Sequence, residues 1–279
     1  MAILLALLSA LAYGISDFGA GVASRRSEAG VVSIIVLAIG LVCATIATAI
    51  DPGVGARSGA LLWGAASGLG GGAGTLALYQ GLAVGRMTIV ATLSAVIAAV
   101  VPAIVGLATG DSLRGATLVG IVTAIPAIAL VSWHADPAER GEARASVGYG
   151  LAAGLAFALL FIGLDRAGTR SGAWPLVSSE VVGVMLLVPF GIRAYARVGR
   201  PPRGDLALTV GVGVVGGIAG LLFLAATGHG QLAIVAVVTS LYPAFTVLLA
   251  RVFLAEHWSR TQAIGLAVAA TAIVLVSVG

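Results

Sequence analysis

The chain has 279 residues, 59% of them hydrophobic and only 9% charged, and its mean hydropathy is +1.12. So few polar side chains cannot clothe a water-facing surface, which excludes a soluble domain of this length. The net charge of +4 rests on 15 basic residues, all arginine, spread over short gaps where they orient helices rather than bind nucleic acid.

Apolar segments follow one another at 2–23, 31–50, 60–82, 87–109, 115–133, 147–164, 173–192, 206–228, 232–254 and 261–278. A helix needs about 20 apolar residues to cross a bilayer, and these runs fit that length. They are continuous rather than alternating, which argues against a β-barrel. The first segment starts directly from Met1 without a basic leader, so a cleaved signal peptide is not expected. Arg25-Arg26, Asp51-Pro52-Gly53 and Arg200-Pro201-Pro202-Arg203 punctuate the runs. Cys43 is the single cysteine, which rules out an internal disulfide and any multi-cysteine metal site. The expected fold is an all-α integral membrane protein with ten transmembrane helices.

The longest polar gap, 134–146, divides the chain into two sets of five segments, 1–133 and 147–279. A shift of 145 residues lays 85–132 over 230–277 without a gap. Gly85 then meets Gly230, Ile89-Val90-Ala91 meets Ile234-Val235-Ala236, Asp111 meets Glu256, and Gly120 meets Gly265. Gly68, Gly71 and Gly72 meet Gly213, Gly216 and Gly217, and near the start of each half a slip of one pairs Tyr13 with Phe157. An odd number of helices per copy makes the second copy enter the membrane from the opposite side. Two inverted five-helix repeats are expected, a design that secondary transporters use for alternating access.

The run Val238-Thr239-Ser240-Leu241-Tyr242-Pro243-Ala244-Phe245-Thr246, continued by Phe253-Leu254-Ala255-Glu256 and Gly265, resembles the ninth and tenth helices of EamA-type members of the drug/metabolite transporter superfamily. Ala12-Tyr13-Gly14-Ile15-Ser16-Asp17-Phe18 resembles the family's first-helix motif, which more often has Asn where Asp17 stands. The fourth helix departs from the pattern, with Ala98 at the position matching Pro243 and Pro102 one turn later. The resemblance spans nearly the whole chain. It implies a ten-helix basket whose central cavity is lined by helices 1, 3, 4, 6, 8 and 9. It further implies movement of small metabolites, amino acids or drugs, often outward, by exchange or proton coupling.

Asp17, Glu180 and Arg251 are the ionisable residues that fall inside apolar segments. A charge in hydrocarbon costs at least about 2.5 kcal/mol, so an intramembrane acid is first a functional candidate. Asp17 stands more than about 10 Å along its helix from Arg25, too deep for an interfacial residue. Its carboxylate could recognise an ammonium group or carry a proton; alternatively it is a structural acid bonded to the Gly-rich end of its helix. Glu180 follows Ser178-Ser179 on helix 7, which the resemblance places at the periphery, so a coupling role and a paired structural acid stay equally open. Arg251 lies near a helix end, where snorkelling explains it.

Tyr13, Trp63, Tyr79, Gln80, Ser94, Phe157, Phe161, Thr239, Ser240 and Tyr242 are candidate substrate-binding residues beside Asp17. Aromatic rings stack on a solute or shield a cation, and hydroxyls orient it. Taken singly, each is better explained by helix packing or an interfacial belt position. Their convergence on one cavity is what the resemblance implies. His229, in the turn before helix 9, is expected to be solvated.

Gly64, Gly68 and Gly72 stand four apart on helix 3, and Gly213 and Gly217 do so on helix 8. Such spacing lets helix backbones approach closely, so both sets are expected to be packing seams between the halves. Gly211-Val212-Gly213-Val214-Val215-Gly216 satisfies a dinucleotide fingerprint, but it lies inside an apolar segment rather than between a strand and a helix. A Walker A loop is impossible without lysine. Pro102, Pro126, Pro189 and Pro243 are expected to interrupt helices, Pro102 and Pro243 as candidate gating kinks.

The leading expectation is a secondary active transporter of small organic metabolites (amino acids, amines or drug-like compounds), exporting them by proton coupling or exchange. Its alternatives are a lipid-linked metabolite flippase and a gated channel; an enzyme would need clustered acids, histidines or metal ligands. No cofactor and no metal are expected. The partners are a small-molecule substrate, the lipid bilayer and protons, with the chain a monomer or homodimer. The expected location is the plasma membrane, as a multi-pass protein of a bacterial inner membrane. Arg25, Arg26, Arg86, Arg140, Arg144, Arg193, Arg197, Arg200, Arg203 and Arg260 follow odd-numbered segments, against Arg57, Arg114, Arg166 and Arg170 after even ones. The positive-inside rule therefore puts both termini outside, whereas the resemblance implies termini inside. A terminal reporter fusion active on one side only is expected to score outside; a cytoplasmic signal overturns the arginine reading.

Overall fold

The computed structural model describes all residues except 51, 109–114, 132–139, 169, 200–201, 228, 230–237, 240, 256–258 and 279. Asp111, Gln231, Ser240 and Glu256 therefore lie outside the described residues. Helices dominate the rest, and no strand occurs among the described residues. In chain order they are α1 (Ala2–Arg26), α2 (Ala29–Ile50), α3 (Ser58–Val84), α4 (Met87–Ala108), α5 (Gly115–Val131), α6 (Arg140–Ala167), α7 (Trp174–Val198), α8 (Arg203–Thr227), α9 (Tyr242–Leu254) and α10 (Arg260–Val278).

Among the described residues five spans are long and apolar enough to cross a membrane: Ala2–Arg26, Ala29–Ile50, Ala143–Leu164, Trp174–Arg197 and Arg203–Phe223. Shorter apolar helices cover Met87–Pro102, Leu118–Ala127, Tyr242–Leu254 and Ala263–Leu275. Large apolar side chains such as Leu62, Val122, Ile125, Met185, Ile192 and Phe253 point outward, while Ser9, Ser33, Ser67, Ser94, Thr88 and Thr246 are buried. An apolar exterior around a small and hydroxylic interior suits a lipid solvent, in which close packing and interhelical hydrogen bonds hold helices together.

Two boundaries differ from the sequence expectation. The polar stretch 134–146 is not all connection, because α6 already begins at Arg140. Arg140, Glu142, Ala143, Arg144 and Ala145 are strong helix formers, and the Ser146 hydroxyl accepts a hydrogen bond from the Arg86 backbone N–H (2.9 Å). Pro243, expected inside a continuous 232–254 helix, instead stands in the first turn of α9, after Leu241 as N-cap. A proline lacks the N–H that an interior position would need, and the first turn does not require it. Pro102, Pro126 and Pro189 do lie inside helices.

The two sets of five helices interlock rather than stand side by side. α3 packs on α6 and α7, α1 on α8 and α9, α4 on α6, and α5 on α10, all across the midpoint of the chain. Each such pairing has a counterpart when the first five helices are exchanged for the last five. α3 runs antiparallel to α6, with Gly70 opposite Ala156 and Gly81 opposite Tyr149. α1 runs antiparallel to α8: the Ser9 hydroxyl donates to the Ala219 carbonyl (2.8 Å) and the Ser16 hydroxyl to that of Val212 (3.1 Å). α4 and α6 run parallel, with Gly150 against Val90 and Leu93 and Gly154 against Ser94 and Ile97. So do α1 and α9, where Gly14 faces Tyr242 and Phe245 and Phe18 faces Phe253.

Glycines set the closest of these approaches. Gly64, Gly68 and Gly72 of α3 lie against Pro175, Ser179 and Gly183 of α7, a parallel seam advancing four residues per contact on both sides. Gly213 and Gly217 of α8 lie in the same way against Ile39 and Cys43 of α2. The equivalent helices α2 and α7 are themselves antiparallel: Gly30 is beside Phe190 and Ala194, Gly40 beside Glu180, and Gly191 beside Ile34. A two-fold axis lying across the helices, rather than along them, produces this pattern. Valine at Gly68 would drive its Cβ into the Ser179 carbonyl, a backbone group that cannot yield. Gly68→Val is expected to cost about 1–3 kcal/mol and lower the thermal midpoint in detergent. Gly211→Ala, with nothing within 4 Å of the added carbon, should leave it unchanged or slightly raised. Equal losses in both variants would overturn the seam.

Candidate functional site

α1 is the helix on which the site is built. Its Gly14 lets α9 approach so closely that the Thr246 hydroxyl donates to the Gly14 carbonyl (3.2 Å). That contact brings the Tyr242 ring to 6.2 Å from the Tyr13 ring, at an interplanar angle of 59°. Arg25 anchors the far end of α1: its Nε donates to the Leu82 carbonyl (3.1 Å) and its Nη2 to that of Gly85 (3.2 Å), which caps the C-terminus of α3. One helix is thus tied to α3, α8 and α9 at three levels.

One turn after Tyr13 on the same helix, Asp17 is buried, with 9% of its surface exposed. Tyr13, Tyr79 of α3 and Tyr242 of α9 all lie close enough to feel its charge. Tyr79 is buried and faces the Ser16 hydroxyl, and the Tyr242 hydroxyl faces Ser94 of α4. The carboxylate of Asp17 has no hydrogen-bond donor or cation as partner among the described residues. This leaves the alternative of a structural acid bonded to its helix end without support in the geometry.

Glu180 is the residue whose surroundings differ most from the sequence expectation. α7 keeps an exposed apolar face at Met185, Phe190 and Ile192, but its other side packs on α2 and α3 and carries Glu180 there. A Cβ on Gly40 would stand 3.1 Å from the Glu180 Cδ and Oε1, so the bare glycine lets this carboxyl lie directly against α2. Tyr13, Tyr79 and Cys43 lie within electrostatic reach of it. Like Asp17, it has no ion-pair or hydrogen-bond partner among the described residues.

The other candidates divide. Phe157 packs on Gly74 and against the apolar cluster that includes Tyr79. Gln80 is half-buried, and Thr239 is buried with a hydroxyl that meets no partner among the described residues. Trp63 and Phe161 are 44% and 42% exposed, which suits an outer face more than a closed site. His229 sits exposed at the end of α8, its Nδ1 2.9 Å from the Ala225 carbonyl. Ser16 and Thr246 were not singled out by the sequence. The available signal was their spacing, one residue before Asp17 and one turn after Tyr242.

Three tyrosines and two unpartnered carboxyls, contributed by α1, α3, α7 and α9, can hold a positively charged or hydrogen-bonding solute and carry protons. Among the described residues no cluster of His, Cys, Asp or Glu could hold a metal ion.

Residues 144–278 match the family model described as EamA-like transporter family. Among curated proteins none matches the chain. A solved structure titled only "Crystal structure of protein" superposes with a TM-score of 0.63, over 98% of this chain and 94% of that one, at 14% identity. That likeness extends the shared fold over the whole length and says nothing of substrate. The matched region contains Glu180, α8 with its glycine seam, and the Tyr242–Thr246 segment that meets Asp17. Residues 144–278 thus carry an EamA-like transporter domain, of the drug/metabolite transporter superfamily, on a chain whose apolar helices make it a multi-span membrane protein.

Proposed function

We propose that this protein is a secondary active transporter, moving small organic metabolites (amino acids, amines or drug-like compounds) outward by alternating access, with proton coupling or exchange. The observation that carries the reading is Asp17, an unpartnered acid held inside α1 and surrounded by tyrosines from α1, α3 and α9. A charge in that position is unfavourable unless a proton or a cationic solute periodically neutralises it. The reading has ten spans arranged as two inverted repeats, 1–133 and 147–279, in a bacterial plasma membrane. The reciprocal pairing of helices across the midpoint supports it, because two interlocked halves can exchange conformations and open opposite faces in turn.

In this scheme Tyr13, Tyr79 and Tyr242 line the substrate, with Ser94 fixing the Tyr242 hydroxyl and Asp17 taking its charge. Glu180 is a second proton-carrying group. Pro102 weakens the hydrogen-bond ladder of α4, and Pro243 starts α9 at the level of Tyr13, so bending is concentrated where α4 and α9 meet. The chain has no lysine for a phosphate-binding loop, so a gradient or exchange supplies the energy.

In proteoliposomes under an imposed pH gradient, Asp17→Asn is expected to abolish solute movement or remove its dependence on the gradient. The purified variant should keep the unfolding midpoint of the parent. Parental rate and gradient dependence in Asp17→Asn would remove Asp17 from the mechanism. Movement that is unsaturable and indifferent to any gradient would favour a channel.

A further inference from the structure

We propose that the site takes an organic dication: one ammonium group at Asp17, the second at Glu180, with the aliphatic span between them lying along Tyr13 and Tyr79. This deepens the transport reading above and rests on it.

The argument begins with charge balance. Asp17 and Glu180 stand on different helices, α1 and α7, and neither meets a cation or hydrogen-bond donor among the described residues. Asp17 is nine-tenths buried, and Glu180 is half-buried with its carboxyl against Gly40 of α2. Two bare carboxylates in such an interior need two positive charges, whether two protons or two cationic groups, because unpaired buried charge is strongly unfavourable. A monovalent cation satisfies only one of them.

The same two tyrosines bridge the pair. α8 connects them: a Cβ on Gly220 would stand 3.4 Å from the Tyr13 hydroxyl, and Gly217, one turn earlier, meets Cys43 and Gly40, on which the Glu180 carboxyl lies. Tyr13 and Tyr79 both feel the charge of Asp17 and Glu180. Aromatic rings favour a nearby ammonium group and pack against methylene chains. The other titratable groups facing the acids are Tyr242 beside Asp17 and Cys43 beside Glu180. Phenols and thiols ordinarily stay protonated at neutral pH, so the two carboxyls are the groups that change charge. A divalent metal ion fits poorly, since calcium takes six to eight oxygen ligands and magnesium an octahedron of them.

The repeat supplies an independent observation. Under the offset that pairs Tyr13 with Phe157, Asp17 corresponds to Phe161, and the equivalent seams Gly68–Ser179 and Gly213–Ile39 make Glu180 the counterpart of Gly40. An acid needed to hold the scaffold together would be needed in both copies. Each acid occurs in one copy only, so the charges belong to a cargo that breaks the symmetry. The resulting cycle exchanges two protons for one dication and moves no net charge.

The test uses the full-length protein in proteoliposomes, with counterflow of labelled diaminobutane. Diaminopentane, diaminohexane, butylamine, hexylamine and butanediol serve as competitors. One diamine length is expected to compete best, at least about tenfold better than the monoamine of equal length. An imposed membrane potential should leave pH-driven diamine uptake unchanged. Glu180→Gln should erase the advantage of diamines over monoamines. Monoamines that compete as well as diamines overturn the inference, as does diamine uptake that follows the membrane potential. Should Glu180→Gln fail to fold, the competition series with the parent protein decides alone. Saturable, gradient-driven uptake of amino acids or butanediol, with no diamine competition, sinks the dication and leaves the transport reading intact. Folded protein that moves none of these classes under any gradient sinks the transport reading itself.

Discussion

The structure depends on how closely glycine lets helix backbones approach across the midpoint of the chain. In lipid there is no water to drive apolar faces together, so association rests on tight packing and on hydroxyl-to-carbonyl hydrogen bonds. Gly64, Gly68 and Gly72 seat α3 on α7, and Gly213 and Gly217 seat α8 on α2. The serine bonds from Ser9 and Ser16 to α8 fix α1 in the same interface. Remove that proximity and Glu180 no longer lies against Gly40, Tyr79 no longer lies opposite Ser16, and the site loses its walls.

That packing is also what makes the two acids chemically meaningful. A carboxyl at the surface of a helix bundle reaches water or an arginine at little cost. Held between interlocked halves, Asp17 and Glu180 are kept from both, and their charge must be met by whatever enters the site. Gly14 has a related effect at the α1–α9 crossing: the close approach there sets Tyr13 against Tyr242 and so defines one wall around Asp17. The rigid seams and the charged interior are two results of a single constraint.

Much of this was legible in the sequence, because some physical signals need no neighbours. Eight of the ten segments follow closely from apolar run length, which depends only on bilayer thickness. The family resemblance rested on Tyr242-Pro243-Ala244-Phe245-Thr246, and that segment lies inside the matched region. The four-residue glycine spacing on α3 and α8 was likewise readable, since a helix puts such residues on one face. One reading was refined and one failed. Pro243, read as a bend inside one helix, stands in the first turn of α9, after a break at Leu241 that follows the helical Val238 and Thr239. The gap at 134–146 was drawn too long because polarity was taken for absence of helix, although arginine, glutamate and alanine favour one.

By itself the sequence determined that this chain lives in a membrane and that it is helical, and it pointed to related halves and to Asp17 as an acid out of place. Each of these follows from hydropathy, periodicity or the cost of isolated charge, which are properties of a segment taken alone. Only the tertiary structure decided which segments meet. It set Glu180 against Gly40 of α2, left Trp63 and Phe161 exposed, and brought in Ser16 and Thr246. Contact between residues more than a hundred positions apart depends on crossing geometry and backbone proximity, and no single segment carries that information.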